Sequence, residues 1–540
     1  MSAPGPVTGL RHRLIRALGG QVPPEPASDT TALVISGGGA RSSFELGALR
    51  YLYERERIEP TIIAGTSAGS ILAAVIAQHP DPAGQRQAVA DLCQLWLDMR
   101  DSSDMFAELP WFTKLNEHMP TWRKVMALRN RSSQHSPRVG GLSAVLPRGG
   151  RNRSMPSAAA GQAEPTRGRR GPLSPAAGSA EHGGADEARA VTTPASEDVT
   201  PEGTEHGLAW SVTNVLDTLS TLWEAGRTST DLELILSGSQ QERAAFTPGP
   251  IVEQLVDPAV FDPAAVAASG LSLRIAAVGL ESGELRYVTE SGEIRDRQDR
   301  PVAGEPRVDL VAAIRASCAI PAVFAPVRLG SEHYVDGGAR ESLPVEVAMA
   351  RLGAARCYAV VASSIGLPRS EDFAEKDMLE IVMRSGFGIM TDEILTDEVR
   401  RAAENGATII QPELDIHDIL TIDPGLTAIA IDYGWSRAAE VCTGASDAAG
   451  AQVRDLYELR RHIWSVEDLA LRPRTGDGQN TRNRASAGAA MPPDIADLKH
   501  QLRSGVDAAD GALLPPGAHT WWRTFERHPY PVGLEPDWVT

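Results

Sequence analysis

Gly65-Thr66-Ser67-Ala68-Gly69 surrounds one serine with small residues, the composition that lets a tight strand-to-helix turn hold a hydroxyl clear of a sheet as a nucleophile. Upstream, the run Gly37-Gly38-Gly39-Ala40-Arg41 supplies backbone amides that can converge on an anion. Such donors are fixed in place and need no reorganisation as negative charge develops. Far downstream, Asp336-Gly337-Gly338 offers a carboxylate beside two glycines that let the backbone turn sharply. A nucleophile, anion-binding amides and a carboxylate are the parts of an acyl-transfer site. Each piece also has a plainer reading. Gly37-x-Gly39 opens a dinucleotide-binding fingerprint, but Ser42 stands where the third glycine belongs, and that reading leaves the serine turn unused. The glycines alone, or Asp-Gly-Gly alone, also suit an ordinary turn.

These residues need elements to hold them. Ile58 to Ala64 reads as a short buried strand before Ser67, and Ser70 to Ala77 as an apolar helix after it. The glycine run follows the strand Ala32 to Ser36 and precedes a helix with apolar Phe44, Leu46, Leu49 and Leu52. Glu332 to Val335 is a strand ending at Asp336. Ser272 to Gly279 and Glu284 to Thr289 form a hairpin through Glu281-Ser282-Gly283. A helix at Val308 to Ser317 and a strand at Cys357 to Ala362 continue the alternation, which predicts a three-layer α/β/α sandwich around a mostly parallel sheet.

With these pieces in order, the chain resembles the patatin-like phospholipase family. That family's hallmarks are a Gly-rich loop ending in Gly-x-Arg/Lys, a Gly-x-Ser-x-Gly turn and an Asp-Gly-Gly/Ala. A fourth match is Ala316-Ser317-Cys318-Ala319-Ile320-Pro321-Ala322-Val323-Phe324, which is similar to the family's Ala-Ser-x-x-x-Pro-x-x-Phe segment. Ser42 departs from the glycine that many members carry after the basic residue. The resemblance covers roughly Thr31 to Asn130 and Gly207 to Gly444. It implies a lipid acyl hydrolase with a Ser/Asp dyad and no histidine: Ser67 as nucleophile and Asp336 as base. The amides of Gly38 and Gly39 would hold the oxyanion, with Gly37 and Arg41 shaping the loop. Substrates would be phospholipids or related acyl esters, and no cofactor is implied. An aspartate of ordinary pKa, about 3.9, is a weak base, so the site must strengthen it by desolvation and positioning.

A histidine triad stays open beside the dyad, because α/β-hydrolases run in the order serine, acid, histidine. His417 and His462 are the candidates, though an acidic stretch around the first and Arg460-Arg461 before the second suit solvated surface positions. His333 lies at an odd offset from Asp336 on one strand, which puts the two on opposite faces. A protein that keeps the fold only to bind lipid or regulate is the other alternative.

Composition bounds the rest. A chain of 540 residues, 42% hydrophobic and 23% charged, can bury one large α/β core and still leave extensions. We expect an N-terminal tail over 1–30, a catalytic domain over 31–130 and 207–445, an insertion over 131–206 and a C-terminal extension over 446–540 with a polar linker at 472–491. The insertion is rich in Ser, Gly, Ala, Pro and Arg and has no aromatic residue, so it is expected to be disordered. Its arginines, concentrated in the first half, could touch anionic headgroups. The stretch from Trp96 to Met126 is rich in Met and aromatics. It suits an acyl pocket or an interfacial lid, with ordinary core as the plainer reading. Leu208 to Ala225 has helical spacing and would pack beside it. Cys93, Cys318, Cys357 and Cys442 are widely spaced, as free thiols in a reducing compartment would be. No His, Cys or carboxylate set has zinc or calcium-loop spacing. No run reaches the roughly 18 apolar residues of a membrane span and no signal peptide is legible. Cytoplasmic location, with peripheral membrane contact, is the expectation. A net charge of -18 argues against nucleic acid as a partner.

Overall fold

The computed structural model describes residues 30–114, 243–367, 369, 373, 381, 383–471, 493–529 and 538. The expected tail (apart from Thr30), the insertion at 131–206, the Leu208–Ala225 helix and the linker at 472–491 lie outside the described residues. So does the end of the Met- and aromatic-rich stretch, beyond Lys114.

The strands are β1 (Thr31–Ile35), β2 (Ile62–Thr66), β3 (Phe106–Glu108), β4 (Phe246–Pro248), β5 (Ser272–Gly279), β6 (Leu285–Thr289), β7 (Ile294–Arg295), β8 (Val327–Leu329), β9 (Glu332–Asp336), β10 (Arg356–Val360) and β11 (Thr408–Ile410). The main sheet runs β11-β10-β1-β2-β5-β6-β7, with β9 pairing β5 and β8 pairing β9. Neighbours from β11 to β5 are parallel, and the hairpin side is antiparallel. β3 and β4 form a separate two-stranded sheet.

The central strands are buried on both faces, as a parallel sheet sandwiched by helices requires. Leu33 and Ile35 of β1 enter one apolar core, while Ala32 and Val34 enter another. Period-two alternation along one strand thus feeds two layers. The larger core packs α1 (Ser42–Tyr51), α2 (Ala68–Ala77), α3 (Pro82–Asp98) and α4 (Leu310–Ser317). The smaller one receives Leu395, Val399 and Ala402 of α5 (Thr391–Glu404). The expected three-layer arrangement is therefore the one observed.

Two differences in local structure have clear causes. β2 starts at Ile62 rather than Ile58, because Arg57 takes a left-handed conformation, φ 52°, and Pro60 has no N–H for a ladder. A long helix, α6 (Pro424–Thr443), was not read from the sequence, although it carries the signals of one: Asp423 caps it, Pro424 opens it and Gly444 ends it left-handed.

The C-terminal extension packs onto this body through α7 (Asp447–Leu471) and α8 (Pro493–Ala508). Buried Arg460 on α7 forks onto Glu526 at 2.9 and 3.1 Å, pairs with Asp432 of α6 at 2.9 Å and lies over the Trp521 ring. Lys499 of α8 pairs with Glu467 of α7 at 3.0 Å, both side chains fully buried. Cys93 and Cys357 are buried, Cys318 and Cys442 half-buried, and all four are free. No described helix is long and apolar enough to cross a membrane.

Candidate active site

Ser67 stands between β2 and α2 with φ 53° and ψ -130°, a conformation that costs energy for any residue carrying a Cβ. The neighbouring glycines make the turn possible. A Cβ on Gly65 would strike the Gly69 carbonyl, and one on Gly69 would strike the Ser36 carbonyl. The turn is held from outside as well, since Ser67 N donates to Ser317 Oγ at 2.9 Å. The Ser67 carbonyl accepts from Ser70 Oγ at 2.6 Å.

Asp336 reaches the same place by strand register. β6 occupies one edge of β5, so β2 and β9 share the other, running toward each other. Thr66, the last residue of β2, pairs with Ala276, and Asp336, the last of β9, pairs with Ala277. Two residues far apart in sequence thus end on consecutive rungs of one strand. Asp336 N donates to Ala319 O at 2.9 Å, and Asp336 Oδ1 accepts Gly338 N at 2.8 Å. The carboxyl is 5% exposed, and burial pushes it up to about 6, opposed by the nearby Ser67 hydroxyl and by the Gly338 amide. No hydrogen bond of ordinary length joins Ser67 to Asp336, and Oδ2 is buried without a partner. The hydroxyl is nevertheless close enough to favour the charged carboxylate, and such contacts commonly tighten only with substrate bound.

The glycine loop closes over the serine turn. A Cβ on Gly37 would lie 3.1 Å from the Ser67 Cβ, and one on Gly38 would overlap that of Ala362. Gly39 is left-handed, φ 54°, where glycine is the natural occupant. Gly37 N donates to Ser342 O at 3.2 Å and Ala40 N to Ile419 O at 2.9 Å. Among the described residues no acceptor engages the amides of Gly38 and Gly39 between them. Arg41 anchors the loop by donating to His417 O and Ser363 Oγ and pairing with Asp415 at 2.9 Å. Ser42, the departure from the family pattern, donates to Gly39 O at 2.8 Å and so ties down the loop it seemed to disturb.

A cavity of about 320 Å³ touches Ser67 and Gly39 and is walled largely by apolar side chains, including Ile71, Trp96, Phe106, Phe246, Ile314 and Phe324. The plainer reading of the Met- and aromatic-rich stretch was ordinary core. Trp96, Met99, Met105 and Phe106 do belong to the apolar core, and Trp96, Met105, Phe106 and Leu109 also line this cavity.

No histidine lines the cavity among the described residues. His417 corrects our expectation of a solvated residue: it is 8% exposed, with Nε2 at 3.1 Å from Ser43 Oγ and Nδ1 at 2.9 Å from Asp418 O. Burial holds its pKa below the ordinary histidine value. The acidic neighbours that suggested solvent instead cap and turn the chain around it. His462 is exposed on α7, and His333 pairs with Glu281 at 2.7 Å.

Sequence reading gave no role to Ser317, although its motif was visible, nor to Glu341 and Ser342. Thr66 Oγ1 donates to Glu341 O at 3.1 Å, and Ser342 O takes Gly37 N. Contacts of this kind leave no local signature.

A model of the family described as patatin-like phospholipase matches residues 33–168 and 182–349. No curated protein sequence matches the chain. The crystal structure of VipD from Legionella pneumophila aligns over 92% of this chain and 91% of that one, at 13% identity and a TM-score of 0.30. A structure of the heterodimeric ExoU–SpcU complex from the type III secretion system of Pseudomonas aeruginosa aligns over 92% of this chain and 75% of that one, at 14% identity and a TM-score of 0.19. Likenesses so distant carry no weight for this chain's chemistry.

Proposed function

The chain belongs to the patatin-like phospholipase family, and from that membership and the geometry around Ser67 we propose that it is a serine acyl hydrolase cleaving carboxylic esters of phospholipids or related acyl lipids. The observation that carries the reading is the meeting of Ser67 and Asp336 on one edge of β5, beside an apolar cavity sized for part of an acyl chain.

Ser67 Oγ attacks the ester carbonyl carbon while its proton passes to Asp336. The amides of Gly38 and Gly39 receive the oxyanion. Collapse expels the alcohol, which takes the proton back from Asp336 and leaves an acyl-Ser67 ester. Water then gives a proton to Asp336 and attacks that ester, releasing the fatty acid and restoring the serine. Burial strengthens Asp336 as a base, since a carboxyl raised to about 6 holds a proton better than an ordinary one and is still charged at neutral pH.

Labelling with a fluorophosphonate, with peptide mapping of the adduct, tests this directly. The adduct is expected on Ser67 and absent in Ser67→Ala. A folded wild-type protein that neither labels nor hydrolyses any acyl ester would instead be a lipid-binding or regulatory member of the family. Turnover measured across phospholipids, lysophospholipids and neutral glycerides would then assign the substrate class.

A further inference from the structure

Glu398 lies on α5, remote in sequence from every motif described above. Its Oε2 accepts Ser342 N at 3.0 Å and Leu343 N at 2.9 Å. The same two peptide groups turn their carbonyls the opposite way: Glu341 O accepts Thr66 Oγ1 at 3.1 Å, and Ser342 O accepts Gly37 N at 3.2 Å. A trans peptide is a rigid plane, so what fixes its N–H end also fixes its C=O end. One half-buried carboxyl group therefore sits behind both the residue before the nucleophile and the first residue of the glycine loop.

We propose that Glu398 is a positioning residue for the hydrolysis, setting the nucleophile turn and the glycine loop against each other through these two peptide groups. The inference rests on the acyl-hydrolase reading above. A purely structural role would satisfy two buried donors and do no more. The surroundings distinguish the two. Glu398 borders a polar cavity of about 550 Å³, facing Glu341 and Glu346 from the loop after Asp336 and Glu393 and Asp397 from its own helix. Arg297, Arg340 and Arg401 supply the positive charge there. Arg297 pairs with Glu346 and Arg401 with Asp397, and the Glu341 carboxylate accepts the Tyr287 hydroxyl. Burial, then repulsion from Glu341, raises Glu398 to about 8, against the pull of the two amides. Burial likewise raises Glu341 to about 7. A charged acceptor makes shorter and stronger hydrogen bonds than a neutral one, so the brace tightens as pH rises.

The experiment uses the full chain, a soluble short-chain ester, and the variants Glu398→Ala and Glu398→Gln. Fluorophosphonate labelling of wild-type Ser67 comes first; its absence would overturn the hydrolase reading, and the brace with it. Given labelling, kcat of Glu398→Ala should fall about a hundredfold with KM changed by less than about threefold, the signature of a displaced catalytic group. Glu398→Gln keeps a side-chain acceptor and should retain most of its activity near pH 6. It should lose the rise in kcat that the wild type shows through about pH 8, while the lower rise due to Asp336 stays. A folded Glu398→Ala with wild-type kcat would overturn the proposal, as would a Glu398→Gln profile that keeps the upper rise. Should the alanine variant not fold, the glutamine profile decides.

Discussion

In the proposed mechanism, the environment of Asp336 serves chemistry at the expense of stability. Its carboxyl is raised from 3.8 to about 6 by burial. The charged form is thus disfavoured by the fold, and its burial is tolerated fully only below the unfolded value, the benefit being lost as pH rises through the folded one. We expect kcat/KM to rise with pH through about 6, following the ionisation of Asp336, in a pH-rate profile on a soluble ester. Asp336→Asn, neutral at every pH, should abolish hydrolysis yet melt no lower than the wild type above that pH. Ser67→Ala should abolish it too. The double variant should be scarcely worse than either single one, because the pair acts as a unit. Substantial turnover by a folded Asp336→Asn protein would remove the dyad. His417, with both ring nitrogens engaged elsewhere, should matter to the fold around Arg41 rather than to the proton transfer.

Among the elements, the decisive contacts are those between loops that never meet in sequence. Gly38 packs so closely on Ala362, just beyond β10, that an added methyl group would overlap the alanine side chain. Gly38→Ala should therefore push the loop off its anion-binding position and cut kcat by about a hundredfold, comparable to losing an oxyanion donor. Adding Ala362→Gly should recover part of the loss, and steady-state kinetics on the pair of variants checks it. A neutral Gly38→Ala would show that the loop has room to spare. The cavity wall makes a second prediction at this scale. Val252 follows β4 in the short helix Pro250–Leu255 and borders the cavity. Val252→Trp should fill part of the volume and lower turnover of long-chain esters at least about tenfold relative to short ones, the discrimination a few methylenes support. Equal loss on both chain lengths would place the acyl group elsewhere.

At the scale of the whole molecule, the site built from the described residues draws on positions from the glycine loop to α5, outside the segment from Ser132 to Glu205. Replacing that segment with a short Gly/Ser linker should preserve hydrolysis of a soluble ester. If its arginines recruit anionic lipid, the same change should weaken vesicle binding at low salt only, since salt screens such attraction. The C-terminal extension behaves differently. Lys499→Met would strip the fully buried Glu467 of its ammonium partner at Oε1, leaving only the Glu526 amide and His528 on Oε2, which costs on the order of 3 kcal/mol. Denaturant unfolding should register that loss, and Glu467→Gln in the same chain should return much of it. An unaffected Lys499→Met protein would mean the extension contributes little to the fold.

By itself the sequence determined the strand and helix alternation, and with it the layered fold, because short continuous apolar runs such as Ala32 to Ile35 and the apolar helix after Ser67 are local patterns that suit a parallel sheet covered by helices on both faces. It also marked Ser67, the glycine loop and Asp336, since a strained turn demands small residues at fixed offsets, and that demand is written in consecutive positions. Tertiary structure decided what no run of neighbours encodes. The sharing of one β5 edge by β2 and β9 sets Ser67 beside Asp336. Burial gives that aspartate its raised pKa, and packing turns His417 inward despite its acidic flanks. The two peptide groups held by Glu398, like the docking of Trp521 and Trp522 onto α6, α7 and α8, join residues far apart in the chain. Their hydrogen bonds and contacts exist only once the sheet has brought them together, so their side chains, read alone, look like any solvated glutamate or unassigned tryptophan.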